Sequence, residues 1–250
     1  VAFSVLPMLF FIKKSHKTQI NIFSMGLFSK KPKKGFRNLN KMYIMLLVSC
    51  VSNVLFLGKG ELKKAKDQIR SRGKFKFIGF SVDTEFWNSS SELKRNKNQI
   101  LFVGNDSNKD ASMILKICEL LPEYNFICIS KLKILKLKKL NNLIVLDGEW
   151  NNSVISDNKL KDYYETSFLT ISPLVESFQP SGQSVSLQSM SMGTPAVISK
   201  TEGFWDYDAF IDNKNIFFID SNDPNLWAEK ILELSTNQEI IKKVSLEGKK

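Results

Sequence analysis

A single histidine, His16, is all that the 250 residues supply. A Ser-His-Asp hydrolase would have to build its triad on that one imidazole, in a lysine-rich turn, so triad hydrolysis is set aside. The three cysteines, Cys50, Cys118 and Cys128, are far apart and embedded in apolar runs. They read as small buried hydrophobes of a reducing compartment, and with one histidine they make no zinc site. There is no G-x-G-x-x-G and no Walker sequence, which leaves dinucleotide and ATP readings without support. Long hydrophobic runs are also missing. VAFSVLPMLFFI is twelve residues, too short to span a bilayer, and it lacks the basic flank of a signal peptide.

Acids are scarce in one region only. Residues 1–75 hold sixteen lysines and arginines against Glu61 and Asp67, while residues 76–250 hold twenty basic against 23 acidic side chains. Such asymmetry suits an anionic partner, either a membrane leaflet or nucleic acid; a merely solvated basic face is the other reading. No aromatic residues alternate with the cations as base stacking needs, and no RNA motif appears. Nucleic acid is therefore not expected. The basic loop at residues 30–37, with Met25, Leu27 and Phe28 beside it, is the stretch expected at a membrane surface.

What is present is a well-punctuated stretch, PLVESFQPSGQSVSLQSMSMGTPAVISK, residues 173–200. Ser181 is a candidate N-cap, residues 183–192 a helix, Gly193 its left-handed stop, and residues 196–198 a short buried strand after Pro195. A helix start behind a Ser-Gly turn offers free N–H groups and the positive end of a dipole, which suits a phosphate. Around it the chain alternates strand and helix: strands at 100–104, 126–130, 143–146, 168–172 and 216–219, helices at 112–120, 160–164 and 224–234. That alternation predicts an α/β fold with a doubly wound parallel sheet, whose ligands sit beyond the C-terminal strand ends. The rule gathers GNDSNKD, GEWNN, ESFQPSG and KTEGFWDY around one cleft. Upstream, residues 1–85 read as a helix, then strands near 20–25, 54–57 and 75–80 with helices from 39 and at 61–70.

Three segments resemble one family. SGQSVSLQSMSMGTPAVIS is similar to the donor-binding segment of GT-B glycosyltransferases of the family 4 type, E-G-F-G-x-x-x-x-E-A-M-A-x-G-x-P-V-I, with Met190, Gly193, Pro195 and Val197 on its pattern. FIGFSVDTEFW, residues 77–87, resembles the interdomain F-x-P-x-G-V-D-T-x-x-F of the same enzymes. ILFVGNDSNKD, residues 100–110, resembles the strand and phosphate-side loop that open their second domain. The resemblance covers roughly residues 50–250. It implies a GT-B fold, with residues 1–88 an incomplete Rossmann-like acceptor-side domain and residues 89–250 the nucleotide-sugar-binding domain. Measured against that pattern, the chain reads as a fragment.

The resemblance also implies roles. Transfer of a sugar builds negative charge on a departing diphosphate, which cations or preorganised N–H donors must stabilise. Lys109 is the implied cation, and Gly182, Gln183 and Ser184, with Ser181 and Val185 beside them, the implied amide cradle. Gln188 stands where the family has the glutamate that holds the ribose. The family's first glutamate would fall on Pro180, and Glu176 in the same loop is the candidate replacement. Gly104, Asn105 and Asp106 form the first donor loop, Asn105 and Asp106 also suiting a turn; Trp150 is a candidate stacking surface, as to a lesser degree are Phe204 and Trp205. No metal and no cofactor is expected beyond the donor itself. The SGQSVxLQ form resembles a subgroup tied to surface polysaccharides. The implied function is a retaining glycosyltransferase acting on a glycan or lipid-linked acceptor, cytoplasmic and peripheral to the membrane. The competing reading is a non-catalytic α/β module with a basic membrane-facing segment, favoured by glutamine at position 188.

Overall fold

The computed structural model describes residues 8–9, 12, 18–29, 35–70, 73–89, 95–148 and 155–250. His16, Trp150 and the lysines at 30–34 lie outside the described residues. The chain divides into two compact units. The first is Val1–Phe80 with Ser177–Pro180 and Glu202–Asp206; the second is Ser81–Glu176, Ser181–Thr201 and Tyr207–Lys250.

The first unit is a parallel three-stranded sheet in the order β1 (Asn21–Ser24), β2 (Asn53–Phe56), β3 (Phe75–Phe77). Helix α1 (Arg37–Cys50) joins β1 to β2, and α2 (Lys59–Gln68) joins β2 to β3. Parallel neighbours need such crossovers, because a hairpin cannot reverse the chain twice. The core is Ile44, Leu47 and Val48 from α1 against Val54, Phe56 and Phe75, with Phe28 closing an aromatic trio whose centroids lie 5.2–5.8 Å apart. Burying each such side chain contributes about 1.5–3 kcal/mol. One acid is buried with them. The Glu61 carboxylate accepts from Ser24 Oγ (2.8 Å) and from the backbone N–H groups of Gly26 and Phe28 (3.0 and 3.1 Å), so it holds the loop that leaves β1.

The second unit is a six-stranded, fully parallel sheet. Its strands are β4 (Asn96–Val103), β5 (Asn125–Ile129), β6 (Leu143–Leu146), β7 (Ser167–Ser172), β8 (Ala196–Ser199) and β9 (Phe217–Ile219), in the order β6-β5-β4-β7-β8-β9. Alternate residues serve opposite faces, as a strand period of two requires. Ile100, Phe102, Phe126 and Cys128 join Ile114, Trp227 and Ile231, from α3 (Ala111–Leu120) and α7 (Pro224–Thr236), in one core layer. Leu101, Ile127 and Ile129 face the other way, onto Trp87, Tyr164 and Met192. A short α4 (Lys133–Leu137), α5 (Asp157–Thr166), α6 (Gln183–Ser191) and α8 (Gln238–Gly248) complete the unit. Trp87 explains why the compact units part at Phe80/Ser81 and not at the expected 88/89. Its indole is buried and stands edge-on to Tyr164 at 5.8 Å, which ties residues 81–88 to the second unit.

The expected doubly wound α/β architecture is present. All three cysteines are buried and free. The sequence reading passed over α4 and α8. The latter is a capped helix, since the Asn237 side chain accepts from Ile240 N–H.

Candidate functional site

Strand order reverses between β4 and β7: from β4 the chain moves outward to β5 and β6, and from β7 it moves outward to β8 and β9. Loops leaving two such strands diverge and leave a crevice. Here the loops after β4 and β7 are also stitched together. Asp110 N–H donates to Pro173 O (2.9 Å) and Val175 N–H to Asn108 O (2.8 Å). Beside them opens a cavity of about 830 Å³, lined by the loop after β4, Gly148, the start of α5 and the start of α6. A cavity of that size suits a nucleotide-sized ligand.

Lys109 is its electrostatic centre. Its side chain is buried, and among the described residues its Nζ has no hydrogen-bond partner. Burial pulls its pKa down to about 8, and the Asp106 carboxylate opposes that shift without cancelling it. An ammonium buried without a partner is costly and stands ready for an anion. Two glycines make room for it. A Cβ on Gly104 would stand 2.6 Å from Lys109 Cε, so the lysine stem passes where no other residue would let it. Gly182 has φ +81°, and a Cβ there would meet Ile198 Cδ1 at 2.8 Å and Lys109 Nζ at 3.5 Å. The ammonium thus lies against the first turn of α6.

That turn differs from the expected one. The N-cap is Gly182, in the left-handed conformation, and among the described residues no side chain caps it. Ser181, the expected cap, instead donates through Oγ to the Asp106 carboxylate at 3.1 Å. The reason is the positive φ at Gly182, which carries the chain into α6 one residue later than a serine cap requires. The start of α6 therefore presents the positive end of a helix dipole with no side-chain cap among the described residues. Asp106 Oδ1 also caps Asn108 N–H (2.9 Å), which shapes the loop that presents Lys109.

Asn105 lines the cavity, yet both ends of its amide are engaged. Nδ2 donates to Gly148 O and Oδ1 accepts from Lys131 N–H (2.7 Å), bracing the loops after β4, β5 and β6 together. Of the residues expected at the donor, Gly104, Asn105, Asp106, Lys109, Gly182, Ser184, Val185 and Gln188 line the cavity. Ser181 and Gln183 do not. Glu176, the candidate for the displaced glutamate, is exposed and is not among the lining residues. The loop after β8 contributes no lining residue either. Its Glu202–Asp206 belong to the first unit, where Phe204 and Trp205 are buried against each other at 3.9 Å.

The acidic spacing Asp206-Tyr207-Asp208 contributes no lining residue; Asp206 pairs with Lys59 at 2.5 Å. Among the described residues no group of three or more His, Cys, Asp or Glu side chains is placed to hold a metal ion.

Several lining residues went unrecognised in the sequence: Trp87, Ile155, Ser156, Asp157 and Leu160. Trp87 closes the quoted FIGFSVDTEFW segment, and Ser156 caps α5 by accepting from Lys159 N–H. The rule that ligands gather at strand ends would have pointed to that second helix start after β6. Tyr164 was missed for another reason, being a buried residue in an otherwise polar helix. Its hydroxyl donates to Gln188 Oε1 at 3.1 Å. Burial raises its pKa, so it remains a donor. With Oε1 thus engaged, Gln188 has its Nε2 amide hydrogens left to offer.

The model of a family described as "Glycosyl transferases group 1" matches residues 97–237, more than half of the chain and most of the second unit. The chain belongs to the group 1 glycosyl transferases. It is a transferase of the GT-B architecture. Among solved structures, HepE of Anabaena in complex with UDP and glucose superposes with a TM-score of 0.75 at 13% identity, over 99% of this chain and 70% of that one. Sucrose-phosphate synthase of Thermosynechococcus elongatus gives 0.78 at 13%, over 99% and 66%. A point mutant of S. aureus TarM, in complex with fondaparinux, alpha-GlcNAc-glycerol and UDP, gives 0.74 at 16%, over 99% and 50%. At these identities the likeness is one of fold. No curated protein sequence matches the chain.

Proposed function

We propose that the cavity of the second unit binds a nucleoside diphosphate-sugar and that the protein transfers its sugar, with retention of anomeric configuration, to a glycan or lipid-linked acceptor. One observation carries the donor part: a buried lysine ammonium with no partner among the described residues, beside a helix start that none of their side chains caps, at the crevice of a parallel sheet. The lysine meets the diphosphate as a point charge, and the first amides of α6 meet it with directed N–H bonds. As the anomeric C–O bond breaks, its electron pair passes to a phosphate oxygen. The same two groups then stabilise a charge larger than the one they bound, which is the requirement for lowering the barrier. Gln188 faces the ribose, and the apolar end near Trp87, Ile155 and Leu160 receives the base. HepE and TarM structures hold UDP, which makes UDP-sugars the first donors to try.

The first unit takes the acceptor side in this reading, and the product belongs to surface polysaccharide synthesis at the inner face of the membrane. Among the described residues no helix is long and apolar enough to cross a membrane.

A thermal-shift panel of UDP-, GDP- and ADP-sugars tests the donor reading. A ligand at about a hundred times its Kd stabilises the folded state by about 2.7 kcal/mol, a shift of several degrees. One base class should give that shift. No shift with any of the three would remove the cavity as a donor site.

Two further results are expected. Because the lysine and helix start meet the diphosphate charge directly, binding should persist undiminished in excess EDTA. Affinity that appears only with Mg²⁺ or Mn²⁺ would mean that the diphosphate is held elsewhere, on a metal. The Tyr164–Gln188 hydrogen bond makes the second. Tyr164→Phe frees the glutamine amide to rotate, so uridine and UDP, or the pair for whichever base the panel selects, should weaken by the same factor. A neutral hydrogen bond is worth about 1 kcal/mol, or roughly fivefold. A loss confined to the diphosphate in calorimetric titration would place Gln188 at the wrong end of the ligand.

A further inference from the structure

Leu174, two residues beyond β7, stands opposite Lys109 in an antiparallel bridge. The flanking bonds run from Asp110 N–H to Pro173 O and from Val175 N–H to Asn108 O. In that pattern residues 109 and 174 are the non-hydrogen-bonded pair, so the N–H and C=O of Leu174 turn the other way. Both are engaged there. Leu174 N–H donates to Ser199 Oγ (2.8 Å), and Leu174 O accepts from Asn222 Nδ2 (2.7 Å). Ser199 Oγ in turn donates to Asn222 Oδ1 at 3.1 Å. The three bonds close a ring, and only this orientation of the amide gives every group in it a partner.

The ring is anchored in regular structure. Ser199 ends β8 and pairs with Ile219 of β9, while Asp223, next to Asn222, caps α7 by accepting from Asn225 N–H (2.9 Å). On its other side Leu174 backs the ammonium. Its Cδ1 comes within 3.8 Å of the point where a Cβ on Gly182 would stand, and Lys109 Nζ within 3.5 Å of that same point. Neither Ser199 nor Asn222 lines the cavity. We propose that Ser199 and Asn222 are positioning residues of the sugar transfer, which act through Leu174 to fix Lys109 where the charge of the departing diphosphate grows. A cation held in place beforehand need not move as that charge develops, and a displacement of about 1 Å at such a group can cost up to a hundredfold in rate. Lys109 has no partner of its own among the described residues, so its place depends on what holds its loop. The role in transfer rests on the donor reading above; the bracing of Lys109 does not.

Trace labelling with acetic anhydride, read by mass spectrometry, reports on the Lys109 amine without any ligand. Asn222 is exposed, so Asn222→Ala should stay folded, which far-ultraviolet circular dichroism checks. In that variant Lys109 should label about tenfold faster than in the wild type, because the released loop admits water and reagent. Exposed Lys159 serves as the internal reference. Calorimetry with UDP and uridine, or the pair for whichever base the panel selects, gives the second reading. Asn222→Ala should weaken the diphosphate about tenfold and the nucleoside less than about twofold, a split that a general loss of stability would not produce. Asn222→Asp keeps the shape and the acceptor but not the donor, and should behave as alanine does. Ser199→Ala opens the ring from its other side and should repeat the result. Unchanged labelling and diphosphate affinity in the folded Asn222 variants would overturn the inference, and so would equal losses of diphosphate and nucleoside. A wild type that binds no nucleoside diphosphate, while the variants still label faster, would sink the donor reading and reduce the two residues to a brace for the loop.

Discussion

Lys109→Met should weaken a nucleoside diphosphate ten- to a hundredfold and at the same time make the empty protein more stable. The two effects have one cause. Methionine keeps the length of the buried stem but removes an ammonium that has no partner among the described residues. The lost charge-assisted contact is worth about 1.5–3 kcal/mol to the ligand, while a nucleoside lacking phosphates should be nearly unaffected. The gain in stability follows from the pKa of about 8 in the folded state against 10.5 in the open chain. Holding that charge inside costs about 3 kcal/mol below pH 8. The signs with pH are opposite for folding and for binding. Between about pH 8 and 10.5 the unfolded chain binds the proton that the folded one has released, so stability of the empty protein rises with pH. Diphosphate affinity falls over the same window, because the ligand needs the protonated lysine and must pull a proton from solution. Calorimetry in buffers of different ionisation enthalpy would read that uptake directly. A variant that loses stability and keeps its affinity would make Lys109 a packing residue.

Glu61→Ala should unfold the loop that leaves β1. The carboxylate satisfies one hydroxyl and two backbone N–H groups inside the first unit, and alanine leaves all three donors unpaired out of water. Each orphaned donor costs about 1–3 kcal/mol, so a total of about 3 kcal/mol or more is expected. Hydrogen exchange localises the effect. Amides of Gly26 and Phe28 should lose protection well before those of the six-stranded sheet, which the substitution does not touch. Unchanged protection at those two amides would show that the loop is held by its own packing. Glu61→Gln is the sharper control. Its Oε1 can still accept from all three donors, and only the second contact of Gly26 N–H, to Oε2, is lost, so most of the stability should be recovered.

Much of the donor site was legible because its parts are local. Gly104 and Gly182 stand out in sequence as turn glycines, and the end of α6 is announced by Gly193 and Pro195. The strands of the second unit are short buried apolar runs spaced by helices, and runs of that kind can be read without knowing what they touch. Two of the three quoted segments fall within the 97–237 match for the same reason, since a phosphate cradle is built from consecutive residues. What escaped was whatever depends on a partner far along the chain. Ser181 carries every local mark of an N-cap, yet the hydroxyl turns to Asp106, seventy-five residues away. Glu176 has the right chemistry in the right loop, and the path of that loop leaves it outside the cavity lining. Tyr164 looks like one more aromatic in a polar helix until the sheet brings its hydroxyl to Gln188.

The strand–helix alternation, the family and the residues of the phosphate end are written in the local order of the chain, because periodicity, glycine and proline act within a few positions of where they stand. Which of those residues holds a charge without a partner is a matter of packing. Lys109 is an ordinary lysine in a polar loop until the strands β4 and β7 bury it. Its lowered pKa, its lack of an ion pair among the described residues and its place against α6 are properties of the assembled fold. Desolvation depends on everything within several ångströms in space, and no stretch of sequence contains that neighbourhood.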